Sequence, residues 1–349
     1  MDLNVPEAFA SVDRRDALAD VEATAAQWAQ AARLGPGPLD LDRYDTILVS
    51  GMGGSGISGD VLWAVGLHGY ERPIAVWKGY GVPSFTGPRT LVVLVSHSGS
   101  TEETLSAFEA AGERGAGRLV VTSGGALGDA AAAAGVTVAQ LPASSRQPRH
   151  SLGFLLVPAL IALGLDAGLD EAIDVLGSTA AELGRDVPVE ANAAKQLAQR
   201  LAGLVPLAWG GQGIGSVAAY RLKCQLNENA KLPALHGMLP ELDHNDVVGW
   251  EQPSPLSGAT GLIALRDPAG EHPRVAQRFD ITTALLGENL AWSAVLTARG
   301  TSPLARMASL LLQADLVSVY AAIAADIDPT PIGSIDRLKA DLSSPVGMQ

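Results

Sequence analysis

Residues 46–60 read TILVSGMGGSGISGD, and this stretch decides the fold of the first part of the chain. Five largely apolar residues lead into a glycine-rich turn, and a helical pattern follows the turn. A β-strand that runs through such a turn into a helix is typical of α/β proteins with a parallel sheet. Residues 91–105, LVVLVSHSGSTEETL, follow the same plan, with a cluster of hydroxyl side chains in the turn.

Short apolar runs alternate with helical patterns around these two stretches. A helix is predicted over 12–34, ahead of the first strand. The predicted strands are 46–50, 73–77, 91–96, 118–122 and 136–141, and the predicted helices between them are 56–66, 101–111 and 126–134. Because strands that alternate with helices form parallel sheets covered on both faces, we expect a first α/β unit within residues 1–150.

The second part of the chain repeats the plan less regularly. The pattern predicts helices over 151–164, 169–184, 191–201 and 303–325, and strands at 204–209, 261–265 and 293–297. The strand at 204–209 leads into the glycine-rich turn GGQG and a helix, so the same unit occurs twice, at 46–65 and at 204–226. We therefore expect two tandem α/β subdomains, each a parallel sheet flanked by helices, at residues 1–150 and 151–349.

Composition excludes several classes of function. The 349 residues carry a formal charge of −13 and one cysteine, Cys224. An acidic chain is unsuited to nucleic acid, which binds clustered Lys and Arg, and one cysteine allows no disulfide framework or multi-cysteine zinc site. The first residues do not form a signal peptide, and the apolar stretch 151–165 is interrupted by Pro158 and shorter than a membrane span. We expect a cytoplasmic protein with no membrane or nucleic-acid partner.

The glycine-rich turn after the first strand favours an anion site. Gly51, Gly53 and Gly56 match G-x-G-x-x-G, and glycines before a helix start allow phosphate to approach the backbone. A dinucleotide site also requires an acidic residue at the end of the second strand, where this chain has Lys78. The sequence also lacks the ATP-binding motif G-x-x-x-x-G-K-[ST], so the turn predicts neither a dinucleotide nor an ATP site.

The turn after the strand at 91–96 is the stronger phosphate signal. Four hydroxyl side chains occur within residues 96–101, at the start of a predicted helix. Hydroxyls and free N–H groups suit the oxygens of a phosphate monoester, and such neutral donors also fit an acidic chain. The alternative is a helix cap completed by Glu102 or Glu103. A cap needs only one hydroxyl, so the cluster favours phosphate.

GMGGSG at 51–56, followed by S-x-S-G-x-T at 96–101, resembles the sugar isomerase (SIS) fold, an α/β module that binds phosphosugars. In that family the serine and threonine cluster holds the phosphate. The resemblance implies phosphate-binding roles for Gly54, Ser55, Ser96, Ser98 and Thr101. The chain departs from the usual pattern at His97, where many relatives have an aromatic residue.

Residues 227–250, NENAKLPALHGMLPELDHNDVVGW, combine seven ionisable side chains with Pro and Gly, which predicts a site loop rather than a helix face. Within the SIS family, N-E-N-x-K-x-P-A and P-E-L-D-H-N are similar to the bifunctional phosphoglucose/phosphomannose isomerases. The resemblance runs from Gly51 to Lys339. It implies interconversion of glucose 6-phosphate or mannose 6-phosphate with fructose 6-phosphate, because the two aldoses differ only at C2 and share one enediolate.

Such an isomerase requires a group that opens the sugar ring, a base for the proton on C1 or C2, and positive charge beside the enediolate. The resemblance implies that Glu228 is the base, that Arg149 stabilises the enediolate, and that His244 opens the ring together with Lys339. It implies no cofactor and no metal. In the family the histidine comes from the neighbouring subunit, which implies a homodimer with a composite site.

The apolar helix predicted over 303–325 must be buried. We expect a two-fold dimer interface to cover it, with the core of the second subdomain as the alternative. Two other functions stay open at this stage. A non-catalytic phosphosugar sensor would leave the joint occurrence of Glu228, His244 and Arg149 unexplained, whereas an isomerase of another sugar phosphate, such as an amino-sugar phosphate, would use the same fold.

Overall fold

Both predicted strand–turn–helix units begin a parallel sheet in the computed structural model, which describes residues 1–143 and 146–343. The first sheet contains β1 (Thr46–Ser50), β2 (Ile74–Trp77), β3 (Thr90–Ser96), β4 (Gly117–Thr122) and β5 (Thr137–Gln140). These strands lie in the order β2-β1-β3-β4-β5, and all neighbouring pairs are parallel. The predicted strands of this subdomain are thus confirmed.

The N-terminal segment forms two short helices, so the single helix predicted over 12–34 is wrong. The helices are α1 (Ala17–Glu22) and α2 (Thr24–Ala31). The carboxylate of Asp13 accepts hydrogen bonds from two backbone N–H groups in the first turn of α1, and Asp16 caps that helix. These carboxylates satisfy the free amides at the helix start, so α1 begins after them and does not extend back to residue 12.

The first sheet changes its winding direction between β1 and β3. Three helices follow strands of this sheet: α3 (Gly53–Gly66), α4 (Glu102–Glu113) and α5 (Gly125–Ala133). From β1 the chain passes through α3 to β2 on one side, and β3 pairs on the other side of β1. In open parallel sheets, ligands bind in the crevice beyond the carboxyl ends of the strands at such a point. The loops at 51–52 and 97–101 both leave the sheet at this crevice.

The second sheet repeats the order of the first. Its strands are β6 (Val205–Gly211), β7 (Leu235–Leu239), β8 (Thr260–Arg266) and β9 (Trp292–Thr297), in the parallel order β7-β6-β8-β9. This arrangement confirms two tandem α/β subdomains. The site loop predicted over 227–250 needs correction, because its first three residues end the helix Ile214–Asn229 and β7 forms part of the remainder. Leu235 and His236 are exposed on this edge strand, so the segment lacks the buried apolar run that signals a strand.

Besides five short 3-10 helices, the described part of the chain contains eight further α-helices: α6 (Leu152–Leu163), α7 (Leu169–Leu183), α8 (Ala193–Arg200), α9 (Ile214–Asn229), α10 (Pro255–Gly258), α11 (Pro273–Leu286), α12 (Pro303–Ala324) and α13 (Gly333–Ser343). Helix α6 packs against α2 and α3 and thus contributes to the core of the first subdomain. The boundaries 1–150 and 151–349 stay a prediction.

Helix α12 lies in the protein's own core. By length and composition it could cross a membrane, but 94% of its most apolar window is buried, as in the core helix of a soluble protein. It packs against α7, α8 and α9. The expectation that a dimer interface covers this helix is therefore wrong, because neighbouring helices of the same chain already bury it.

Candidate active site

A cleft of about 480 Å³ lies at the crevice between β1 and β3. It is lined by the loops that follow these strands, the segment 147–149, the last turn of α9, and α13. Seven of the nine predicted site residues line this cleft: Gly54, Ser55, Ser98, Thr101, Arg149, Glu228 and Lys339. The fold thus brings together groups as distant in the sequence as Gly54 and Lys339.

Two glycines set the shape of the cleft. A Cβ atom on Gly54 would lie 2.7 Å from the backbone nitrogen of Arg149, so glycine is required for the start of α3 to contact this segment. Gly99 has a φ of 66°, and a Cβ atom there would overlap the carbonyl oxygen of Gly124. The glycines therefore let the two phosphate-loop segments approach their neighbours closely.

The predicted phosphate-binding hydroxyls form a hydrogen-bonded cluster. The oxygens of Ser96 and Thr101 are 3.0 Å apart, and Ser96 Oγ also accepts the N–H of Gly99 at 3.1 Å. Ser55 Oγ accepts the backbone N–H of His97 at 3.2 Å, which joins the loop after β3 to the start of α3. Ser96 is buried beneath the cleft and supports Thr101, so it does not line the cleft itself.

The hydroxyl cluster does not cap α4. The residue before this helix is Thr101, whose side chain makes no capping hydrogen bond. Ser98 is exposed at the cleft, where its Oγ accepts the N–H of Ser100 at 3.2 Å. The helix-cap alternative is therefore not what the structure shows. Helix α4 begins directly after Thr101, so its free N-terminal amides and positive dipole end lie next to the hydroxyls, and this arrangement suits an anion.

Lys78 makes its contacts within this chain, although the residue is exposed. Its Nζ atom forms an ion pair with Asp60 of α3 at 2.5 Å and lies 4.7 Å from the centre of the Tyr220 ring. This lysine stands where a dinucleotide-binding protein has a ribose-binding acid. Its contacts join α3 to α9, so the residue links the two subdomains.

Arg149 is 98% buried and lines the cleft. Nε donates to Asn229 Oδ1 at 2.7 Å, and Nη2 donates to two backbone carbonyls, those of Pro329 and Thr330, at 2.9 and 3.0 Å. Nη1 reaches Glu228 Oε2 at 3.3 Å. Burial lowers the pKa of Arg149 and the Glu228 carboxylate opposes that shift, while an arginine remains charged in proteins.

Glu228 reaches the cleft from the last turn of α9. This helix of 16 residues is about 24 Å long and runs from the second sheet to the first subdomain. The next residue, Asn229, is fully buried and donates to Ser318 Oγ at 2.9 Å, whereas the Glu228 side chain is 27% exposed. The helix therefore anchors one side chain in the core and presents its neighbour, a carboxylate, to the cleft.

The two remaining predicted catalytic residues differ in position. Lys339 lies on α13 and lines the cleft. His244 ends a short 3-10 turn after β7, is exposed, and among the described residues is not part of the cleft. Its neighbour Asp243 binds Arg278 and Thr282 instead of the imidazole. One chain therefore brings Glu228, Arg149 and Lys339 together, but not His244.

The equivalent crevice of the second sheet is filled by side chains. Asp267, which follows β8, pairs with the buried Arg306 at 2.7 Å. Its backbone N–H donates to Glu271 at 2.8 Å, so a carboxylate takes the place that an anionic ligand would occupy. Arg266 holds the same carboxylate. This difference explains why only the first subdomain presents a hydroxyl-lined cleft within the described residues.

Sequence reasoning missed several residues around the site. Gln147 and Asn229 bind Arg149, and Lys231 binds the end of α9. Their signal was present, since Asn229 and Lys231 belong to the motif N-E-N-x-K that also contains Glu228. His97 lines the cleft, and burial lowers the pKa of its imidazole.

Comparison with known proteins identifies similar chains. Residues 190–342 match the family model "bacterial phospho-glucose isomerase C-terminal SIS domain". The bifunctional phosphoglucose/phosphomannose isomerase of Caldicellulosiruptor bescii is 37% identical over 306 residues, which cover 86% of this chain and 90% of that protein. The enzyme of the same name from Aquifex aeolicus is 36% identical over 304 residues, covering 87% and 92%.

A solved structure shares the fold. A glucose-6-phosphate isomerase like protein from Thermus thermophilus aligns with a TM-score of 0.61 and 20% identity. The alignment covers 97% of this chain and 99% of that one. Both subdomains therefore have their counterparts in a protein of the SIS fold.

Proposed function

This chain belongs to the family of bifunctional phosphoglucose/phosphomannose isomerases, and we propose that it interconverts glucose 6-phosphate and mannose 6-phosphate with fructose 6-phosphate through a cis-enediolate. The observation that carries the proposal is the pairing of Glu228 with Arg149 in a cleft whose other side is the hydroxyl cluster. A non-catalytic sensor would need the hydroxyl cluster but not a carboxylate beside a buried guanidinium.

The phosphate binds at the hydroxyl cluster. Ser55, Ser98 and Thr101 supply hydroxyl groups to the cleft, with Gly54 at the start of α3 and Ser96 beneath Thr101. Two helix N-termini, those of α3 and α4, begin beside these residues and add amide donors and positive dipole ends. The substrate's charge is thus neutralised without clustered Lys or Arg, which suits an acidic protein.

Glu228 moves the proton between C1 and C2. A carboxylate at the end of a helix can remove a proton from one carbon and return it to the neighbouring carbon on the same face of the substrate. Arg149 supports this step through a single nitrogen, because its Nε and Nη2 are taken by Asn229 and by two backbone carbonyls. Nη1, which already lies beside the Glu228 carboxylate, is the donor that stabilises the enediolate oxygen.

Ring opening requires a second subunit in this proposal. His244 is exposed on the second subdomain and lies outside the cleft of its own chain, whereas Lys339 lies in the cleft. A homodimer in which His244 enters the neighbouring cleft would complete the site. The proposal includes neither a cofactor nor a metal. It places the protein in the cytoplasm.

Exchange with solvent tests the proton transfer. Fructose 6-phosphate is incubated with the protein in D₂O, and the products are followed by NMR. We expect deuterium at C2 of both glucose 6-phosphate and mannose 6-phosphate, because a shared enediolate is protonated at C2 by a base that equilibrates with water. A chain that binds fructose 6-phosphate but forms neither aldose phosphate and introduces no deuterium at C1 or C2 would be a binding protein, and the proposal would be wrong.

A further inference from the structure

Lys231 joins two distant parts of the chain next to the cleft. It follows α9 closely and adopts the left-handed conformation, with a φ of 53°. Its ammonium donates to four backbone carbonyls, those of Glu228 at 2.9 Å, Asn229 at 3.2 Å, Asp328 at 2.9 Å and Pro329 at 3.2 Å. Two of these carbonyls end α9, and the other two belong to the connection between α12 and α13.

The connection at residues 328–330 is held by two cations. Lys231 binds its first two carbonyls, and Nη2 of Arg149 binds the carbonyls of its last two residues at 2.9 and 3.0 Å. The segment is also turned back on itself, since the Asp328 carboxylate accepts the N–H of Thr330 at 3.0 Å. The 328–330 segment is thereby fixed to the helix end that carries Glu228.

This segment determines where α13 begins. The helix starts at Gly333, and every residue from 333 to 342 is exposed. Its side chains Ile335, Leu338 and Lys339 nevertheless line the cleft. A helix with no buried side chain gains little from packing, so its place over the cleft depends on the anchored residues that precede it.

We propose that Lys231 is a positioning residue for the isomerase reaction, whose ammonium ties the end of α9 to the 328–330 segment and so keeps Glu228 and Lys339 in one cleft. The inference rests on the proposed function, because the roles of Glu228 and Lys339 come from there. Lys231 itself touches backbone carbonyls and not the cleft.

The chemistry of the contact explains the choice of lysine. An ammonium is a compact charge with three donors, and here four carbonyls converge on it. The donors of arginine lie in one plane and are spread over a wider group, which suits this convergence of carbonyls from the end of α9 and the 328–330 segment less well. Burial, together with nearby Arg149, lowers the pKa of Lys231 to about 8, while Asp328 and Glu228 oppose the shift. Lys231 is exposed as a whole residue, but its ammonium is bound by four carbonyls and is thereby partly desolvated.

Lys231→Met tests the proposal, because it removes the ammonium and keeps a long apolar stem. We expect kcat to fall by about 10- to 100-fold, since a small misplacement of catalytic groups costs rate of this order. KM should change much less, because the hydroxyl cluster lies in the other subdomain. The matched control is Lys223→Met on α9, whose ammonium donates no hydrogen bond among the described residues and whose loss should leave kcat unchanged.

Trypsin provides a readout that does not depend on activity. Arg337 and Lys339 are exposed cleavage sites on α13. If Lys231 anchors this helix, cleavage there should be faster in Lys231→Met than in the wild type or in Lys223→Met, with the rest of the chain equally resistant. If the wild type proves inactive on hexose phosphates, the proposed function fails, but this comparison still tests the role of Lys231.

Chemical rescue separates the ammonium from general damage. Cys224 is the sole cysteine, so a Cys224→Ser, Lys231→Cys variant has one thiol, which 2-bromoethylamine converts into a lysine analogue of equal length. We expect alkylation to restore both kcat and resistance to trypsin. The proposal is overturned if Lys231→Met keeps normal kcat, if its α13 is cleaved at the wild-type rate, or if alkylation restores neither property.

Discussion

Replacing Glu228 by Gln removes the proposed base while it keeps the shape of the side chain. The Gln oxygen can still accept the hydrogen bond from Arg149 Nη1, which spans 3.3 Å in the wild type. Arg149 also keeps its bonds to Asn229, Gln147 and the carbonyls of the 328–330 segment. Because Arg149 is buried and Glu228 is the carboxylate that pairs with it, the lost charge pairing should cost about 1.5–3 kcal/mol of stability.

The loss of the base should instead lower the rate of the isomerase reaction. General base catalysis contributes about 10²- to 10⁴-fold, which corresponds to about 2.7–5.4 kcal/mol in the activation barrier. We therefore expect kcat to fall by that factor, with binding of fructose 6-phosphate nearly unchanged and the melting temperature lowered by only a few degrees. The assay couples glucose 6-phosphate formation to a dehydrogenase, and calorimetry measures substrate binding.

A second carboxylate in the same cleft provides the control. Glu103 lines the cleft from the start of α4, and we have assigned it no part in the reaction. Glu103→Gln makes the same chemical change, and its kcat should stay within about twofold of the wild type. If Glu228→Gln kept more than about a tenth of the wild-type kcat, the carboxylate would not be the base and the proposed proton transfer would be wrong.

Three further predictions concern the phosphate, the second subunit and pH. Ser98→Ala and Thr101→Val should each raise KM more than they lower kcat, because each loses about 1.5–3 kcal/mol of substrate-binding free energy. An unchanged KM in steady-state kinetics would mean that the phosphate binds elsewhere. Refolding Glu228→Gln together with His244→Ala should recover up to about a quarter of wild-type activity, since half the dimers are hybrids with one intact site; hybrids that form without activity would mean that both residues serve one chain's site. Burial lowers the pKa of His150 from 6.5 to about 3, so the unfolded chain binds a proton that the folded one does not, and stability should fall by about 2 kcal/mol as pH decreases from 7 to 5. In denaturant titrations, the stability of His150→Gln should fall less between pH 7 and pH 5 than that of the wild type, by about 2 kcal/mol. An equal fall in both proteins would mean that the buried imidazole is charged.

The first subdomain could be predicted because its signals are local. Each of its strands is a short run of apolar residues next to a turn, and the motif S-x-S-G-x-T lies within six residues of one loop. β7 could not be predicted in this way, because an exposed Leu235 and His236 on an edge strand do not differ from a loop. The start of α1 at Ala17 depended on the caps supplied by Asp13 and Asp16, which a helical pattern alone does not reveal.

The site was predictable in its residues but not in its contacts. Arg149 and Glu228 came from motifs, yet the carbonyls that hold Arg149 lie 180 and 181 positions further along the chain. Hydrophobic patterning of α12 also shows that the helix is buried, but not whether its own chain or a second copy buries it. Such long-range pairings depend on how the two subdomains pack, and no local signal carries them.

The central claim is that this chain is a cofactor-independent isomerase of hexose 6-phosphates. The most direct test is to mix the purified protein with mannose 6-phosphate in the presence of EDTA and to measure fructose 6-phosphate. We predict turnover, also with glucose 6-phosphate as the substrate, because both aldoses pass through one enediolate at Glu228. Absence of fructose 6-phosphate from both substrates, with or without EDTA, would contradict the claim.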